Sequence, residues 1–179
     1  MAATSDRAGR YTRANRAIGR AKVMRLWILR HGQAAARAAS DAERPLTTAG
    51  EAEVRAMSAL LGGQPLDAIL ASPYLRAQQT AALMRSALNF TQDVGTAPWL
   101  TPDDEPGDVL RFLSERTEKN LLLVSHQPLV SQLISLLVEG NRTAHYPMPT
   151  AALACIDLDF VAAGLGNLAA LSVPADLSR

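Results

Sequence analysis

The 179-residue chain has one cysteine, Cys155, so it can form neither an internal disulfide nor a thiolate metal cluster. Cys155 lies in the apolar run ALACIDL, where a buried, inert thiol is expected. Aromatic residues make up only 4% of a chain rich in Ala and Leu, an ordinary globular composition. No apolar run approaches the ~20 residues a membrane-spanning helix needs, and no secretory apolar segment is present. The three histidines are scattered, without a His-x-x-x-His pair or a clustered His/Asp set, so neither metal nor cofactor is expected. Ser125 lacks a Gly-x-Ser-x-Gly setting, which argues against a serine hydrolase. The length suits one domain, and no internal repeat is visible.

Charge is nearly balanced overall, at +1, but unevenly placed. Residues 1–23 carry Arg7, Arg10, Arg13, Arg16, Arg20 and Lys22 against Asp6 alone, a local +5, leaving the remainder at −4. A basic tail touching an anionic partner, a targeting peptide and an extension upstream of the true start all fit. No apolar face accompanies the arginines, so the favoured expectation is a disordered extension without catalytic role, with Met24 as a possible start. The net acidic remainder gives no support for nucleic-acid binding.

From Met24 onward, short apolar runs alternate with longer stretches of helical spacing. RLWIL, LDAILAS, the weaker DVGTAPWL, and NLLLVS read as strands. PLTTAGEAEVRAMSALLG reads as a helix capped by Thr47 or Thr48 and ending near Gly62 and Gly63. SPYLRAQQTAALMRSAL reads as a helix with Ser72 as cap and Pro73 in the first position. TPDDEPGDVLRFLSER gives a loop and a helix near Pro106, and HQPLVSQLISLLVEG a helix with Pro128 near its start. ALACIDLDF and GNLAALSVP read as two strands joined by a glycine-containing turn. The pattern predicts a three-layer α/β/α domain over residues 24–179, with a mostly parallel sheet of about six strands covered on both faces. Strand order does not follow from it.

In such a sheet ligands bind beyond the carboxyl ends of the strands. Arg30, His31 and Gly32 follow the first strand directly, Arg76 opens the helix after the second, and His126 follows the fourth. Guanidinium forks match phosphoryl oxygens, and helix starts near Ser72 and Gln127 add N–H donors. Arg30 and Arg76 would disfavour the imidazolium form of His31, keeping its lone pair available for attack at phosphorus. Gly32 lets the backbone turn tightly and approach a ligand. Singly, each residue has an ordinary structural reading, a hydrogen-bonded histidine or a solvated arginine. Together, at equivalent junctions, they point to one small anionic site.

LRHGQA, SPYLRAQQTA and VSHQP, in that order, resemble the signature segments of the histidine phosphatase superfamily, the phosphoglycerate-mutase-like proteins, and PLTTAG resembles its usual helix entry. The resemblance implies that fold, with His31 as the phosphorylated nucleophile and Arg30, Arg76 and His126 completing a phosphate pocket. It also implies a Gln127 backbone contact to phosphate. The short chain and the segment LTPDDEP resemble the SixA-type phosphohistidine phosphatases, which implies a metal-independent enzyme acting on the HPt domain of a sensor kinase in two-component signalling. With neither a secretory segment nor a cysteine pair, a cytoplasmic protein is expected. A monomer that binds neither membrane nor nucleic acid is expected. The family's usual acid would fall at Asp103, Asp104 or Glu105, but a solvated loop capping the next helix is the favoured reading of these three. A labile P–N bond needs little proton donation, so none of them is expected to be essential. Gln33 stands where many relatives carry Ser, Thr or Glu. His145 reads as a rim residue, and Trp27 and Trp99 as packing. The alternatives are a phosphomonoesterase or mutase acting on a small phosphate ester, and a non-catalytic phosphate-binding module.

Overall fold

A computed structural model describes residues 24–178; the expected basic extension, 1–23, lies outside the described residues. In chain order the elements are strand β1 (Met24–Arg30), helix α1 (Thr48–Ser58), β2 (Ala68–Ala71), α2 (Leu75–Ala87), β3 (Gly95–Thr96), α3 (Pro106–Ser114), β4 (Asn120–Ser125), α4 (Leu129–Glu139), β5 (Leu153–Leu158) and β6 (Gly166–Ser172). The six strands form one sheet in the order β3-β2-β4-β1-β5-β6. The first four run parallel to one another, β5 is antiparallel to β1, and β6 is antiparallel to β5.

The apolar strands are continuous because both sheet faces are buried, and their side chains divide with the two-residue period of a strand. Leu26, Ile28, Leu121 and Leu123 face a core completed by Val109 and Leu113 of α3 and Leu133, Ile134 and Leu137 of α4. Trp27, Leu29, Leu122 and Val124 face a second core with Val54 and Met57 of α1 and Ala77, Ala81 and Met84 of α2. Cys155 is buried in this second core, and burial pushes its thiol up to about 11, so it stays protonated. Thr47 caps α1, its hydroxyl accepting from the Gly50 amide at 3.0 Å.

Two sequence expectations are corrected. Helix α2 begins at Leu75, with Tyr74 as its uncapped entry residue, rather than at Pro73 with Ser72 as cap. The Ser72 amide still donates to the Val124 carbonyl at 3.0 Å, prolonging the β2 ladder, so Pro73 and Tyr74 are spent on the turn. The segment DVGTAPWL holds only a two-residue strand. Ala97 makes the last ladder bond, to the Ala71 carbonyl, and Pro98, which has no N–H to give, starts a short 3-10 turn, Pro98–Leu100.

The strand order positions the site. Because β4 lies between β1 and β2, three successive strand ends are neighbours, with Arg30 opposite Ser125 and Ala71 opposite Val124. The His31 amide donates to the Ser125 carbonyl at 3.0 Å, so the chain leaves β1 and β4 side by side at one edge.

Candidate active site

His31 is buried, at 7% exposure, and its ring is held from both sides. Nδ1 lies 2.7 Å from the Gly32 carbonyl oxygen, which can only accept, and Nε2 lies 3.2 Å from Nε of Arg76, which can only donate. Both contacts require the proton on Nδ1 and the lone pair on Nε2. The His31 imidazole is pushed down to about 4, by burial first, with Arg76, Arg30 and Arg44 adding to it against the Gly32 carbonyl. The lone pair is therefore available at neutral pH as the sequence implied, but burial, not the two arginines, is the main cause.

Of the other predicted residues, Arg76 meets that nitrogen and His126 lies beside the ring. Arg76 is 4% exposed in the first turn of α2, and its Cζ lies 4.9 Å from the centre of the Tyr74 ring. The His126 ring centre lies 4.9 Å from that of His31 and 5.0 Å from that of Tyr74. Burial, then the neighbouring His31, pushes the His126 imidazole down to about 3, so it is neutral. Arg30 donates from Nη1 to the Met148 carbonyl at 2.8 Å, and Gln127 reaches the same oxygen with its side chain at 3.5 Å. Nε of Arg30 and both ring nitrogens of His126 are buried without a hydrogen-bond partner among the described residues. Such groups are costly unless something meets them. A cation with a spare donor and a neutral imidazole beside a bound nucleophile suit a tetrahedral oxyanion.

Gly32 serves packing rather than a special backbone angle. A Cβ there would stand 2.6 Å from the Gly50 carbonyl oxygen and 2.9 Å from Cγ2 of Val54, so α1 lies directly on the chain leaving β1. The Gly32 amide donates to the Thr80 hydroxyl at 3.1 Å, which donates to the Arg76 carbonyl at 2.7 Å, locking the two segments together.

The sequence model of the histidine phosphatase superfamily (branch 1) matches residues 26–100, which include Arg30, His31 and Arg76. Phosphohistidine phosphatase SixA of Escherichia coli is 39% identical over 141 residues, covering 76% of this chain and 86% of that one. The chain belongs to the histidine phosphatase superfamily. A SixA homologue from Haemophilus influenzae is 33% identical over 73% of this chain and 87% of its own. A protein histidine phosphatase SixA solved with tungstate superposes with a TM-score of 0.78 at 36% identity, covering 86% of this chain and 99% of that one.

Among the described residues no carboxylate is hydrogen-bonded to His31, whose ring nitrogens meet only the Gly32 carbonyl and Arg76. Asp103 is exposed. Asp104 closes its own turn, Oδ2 accepting from the amide and hydroxyl of Thr101 at 2.7 and 2.6 Å. Glu105 pairs with Arg142. It makes no side-chain cap on α3, which corrects the capping role expected of this loop. Among the described residues none of the three bonds to His31, Arg30, Arg76 or His126. Replacing Glu105 with glutamine is therefore expected to leave turnover within about threefold, since an exposed ion pair is lost and little else. A loss beyond about a hundredfold in a folded variant would make Glu105 the proton donor.

His145 is exposed and, with Gln127, Gln132 and Arg142, lines a pocket of about 430 Å³ that includes none of His31, Arg30, Arg76 and His126. Trp99 stacks on Phe112 at 5.0 Å, and Trp27 is buried. The sequence reading missed Asp41, Arg44, Tyr74 and Thr80. Thr80 had a signal, a polar residue four positions after Arg76 and so on the same helical face. Asp41 had none, because the side chain it meets is 35 positions away.

Proposed function

We propose that the protein is a phosphohydrolase that takes a phosphoryl group onto His31, and that its substrate is a phosphohistidine on a signalling protein, an HPt domain of a sensor kinase. The observation that carries the reading is His31 itself, with its Nδ1 proton held by Gly32 and its Nε2 lone pair facing Arg76 beside the unpartnered Nε of Arg30 and the His126 ring. The SixA relatives support the choice of substrate, as does the fact that, among the described residues, no carboxylate is hydrogen-bonded to the His31 ring.

In the first step Nε2 of His31 attacks phosphorus in line. The bond from phosphorus to the substrate imidazole breaks, and that imidazole leaves with the electron pair and takes a proton from water. As Nε2 becomes bonded to phosphorus, Nε of Arg76 turns its proton to a phosphoryl oxygen, and Arg30 and His126 meet the others. The Gly32 carbonyl stabilises the positive charge that develops on the His31 ring through its Nδ1 proton. In the second step water attacks phosphorus, the bond to Nε2 breaks, and phosphate leaves. On this reading the Gln127 backbone contacts the transferring phosphoryl group and Gly32 allows the close approach. Catalysis resides in residues 24–179, with no part assigned to residues 1–23, and the protein acts as a cytoplasmic monomer.

The test is phosphate release from a histidine-phosphorylated HPt domain, with para-nitrophenyl phosphate and 3-phosphoglycerate alongside and EDTA present throughout. Rapid loss of the phosphohistidine is expected. Turnover of the phosphoesters alone would move the protein to small-molecule chemistry. Activity that returned only with added metal would defeat the mechanism, and no turnover at all would leave a phosphate-binding module.

A further inference from the structure

The loop between β1 and α1 carries a carboxylate that the steps above do not use. Asp41 sits in a 3-10 turn, Asp41–Glu43, with its side chain 55% exposed, yet it meets a guanidinium that is only 5% exposed. Arg76 gives both terminal nitrogens to this one residue, Nη1 to the Asp41 carbonyl at 2.5 Å and Nη2 to Oδ2 at 2.9 Å. Its Nε is left for His31. The other carboxylate oxygen, Oδ1, accepts from Nη1 of Arg44 at 2.8 Å, and Nε of Arg44 donates to the Ala35 carbonyl at 2.6 Å. Hydrogen bonds thus run without a break from the loop backbone to the nucleophile.

A guanidinium is planar, so holding its outer edge sets the direction of Nε. We propose that Asp41 is a positioning residue, holding Arg76 so that its Nε side faces the phosphoryl group at His31 throughout the transfer. The proposal rests on the phosphoryl-transfer reading above. Asp41 is not the missing proton donor: hydrogen bonds from Arg44 and then Arg76 hold its carboxyl below the usual carboxylate range, so it is ionised at neutral pH. Its charge also repels a bound phosphate, an effect that its exposure screens. Orientation and repulsion separate in a double-mutant cycle, because only the first acts through Arg76.

The cycle takes Asp41→Ala, Arg76→Ala and the pair in the full chain. It reads kcat and KM on the phosphorylated HPt domain, and separately the dissociation constant of orthovanadate. With Arg76 present, Asp41→Ala is expected to lower kcat about tenfold, leave KM within about twofold, and weaken orthovanadate about fivefold. With Arg76 replaced, Asp41→Ala is expected to lower neither. Equal losses on both backgrounds in variants that melt like the wild type would overturn the proposal. Should Asp41→Ala not fold, Asp41→Asn, which keeps an acceptor but not the charge, runs the same cycle with an expected loss of about threefold. A wild type without turnover would sink the phosphoryl-transfer reading, while the orthovanadate arm still decides Asp41.

Discussion

Replacing His31 with alanine is expected to lower kcat/KM by about 10⁴-fold or more, and to abolish an acid-labile, alkali-stable phosphoenzyme that the wild type forms within one turnover. The size follows from the geometry. Among the groups at the site, Nε2 of His31 is a lone pair already aimed at Arg76, whereas no hydrogen bond from the described residues fixes the His126 tautomer. Water cannot replace the nucleophile cheaply, because the remaining residues only bind and orient the phosphoryl group. The pH profile checks the same assignment. Because His31 is pushed down to about 4, its neutral, active form prevails at neutral pH and is lost only as pH falls through that value. After allowance for ionisation of the substrate phosphate, kcat/KM is expected to show no histidine limb between about pH 5 and 8. A limb near 6.5 would mean that the ring is far better hydrated than its 7% exposure allows. A labelled phosphoenzyme persisting in His31→Ala would assign the nucleophile elsewhere.

What the sequence made legible follows from local physics. NLLLVS and RLWIL read as strands because both faces of a central strand are buried, which leaves no polar alternation to confuse with a helix. The four site residues could be named because each ends a strand, follows one directly or opens a helix, and such positions are set by the chain's own punctuation. Their convergence was a further step. It holds because β4 lies between β1 and β2, and the crossover that puts it there has no local signature. Helix α2 starts late because the Ser72 amide is taken by a neighbouring strand, a tertiary contact that overrides a good serine-proline start. The strand at DVGTAPWL is cut short by Pro98, a residue visible in the sequence that has no N–H to extend the ladder. Asp41 was hidden for the reason that makes it interesting. It lies on a polar loop where an aspartate is unremarkable, and its role is created by an arginine on another element.

Gly50 links the fold to the site, and Gly50→Ala is expected to destabilise the protein by about 3 kcal/mol or more, with a fall in melting temperature of about 10 °C. The residue lies in the first turn of α1, where alanine would ordinarily be the better helix former. Here an added Cβ would stand 2.1 Å from the Gln33 carbonyl oxygen and 2.6 Å from the Gln33 amide nitrogen. Both are backbone atoms, and the Gln33 carbonyl also accepts from the Thr47 amide at 2.9 Å, so neither side can yield without breaking the helix entry. The only relief is to move α1 away from the chain that leaves β1, which shifts Gly32 and with it the carbonyl that sets the His31 tautomer. Activity is therefore expected to fall more steeply than stability, by about a hundredfold even at temperatures where the variant remains folded. Gly107→Ala in α3 is the control: nothing lies within 4 Å of its added Cβ, so a gain of up to about 1 kcal/mol and unchanged turnover are expected. Thermal unfolding followed by circular dichroism, with kcat measured well below each transition, separates the two effects. If Gly50→Ala melts with the wild type and turns over normally, the contact between α1 and the Gly32–Gln33 backbone does not hold the nucleophile, and the glycine of PLTTAG needs another explanation.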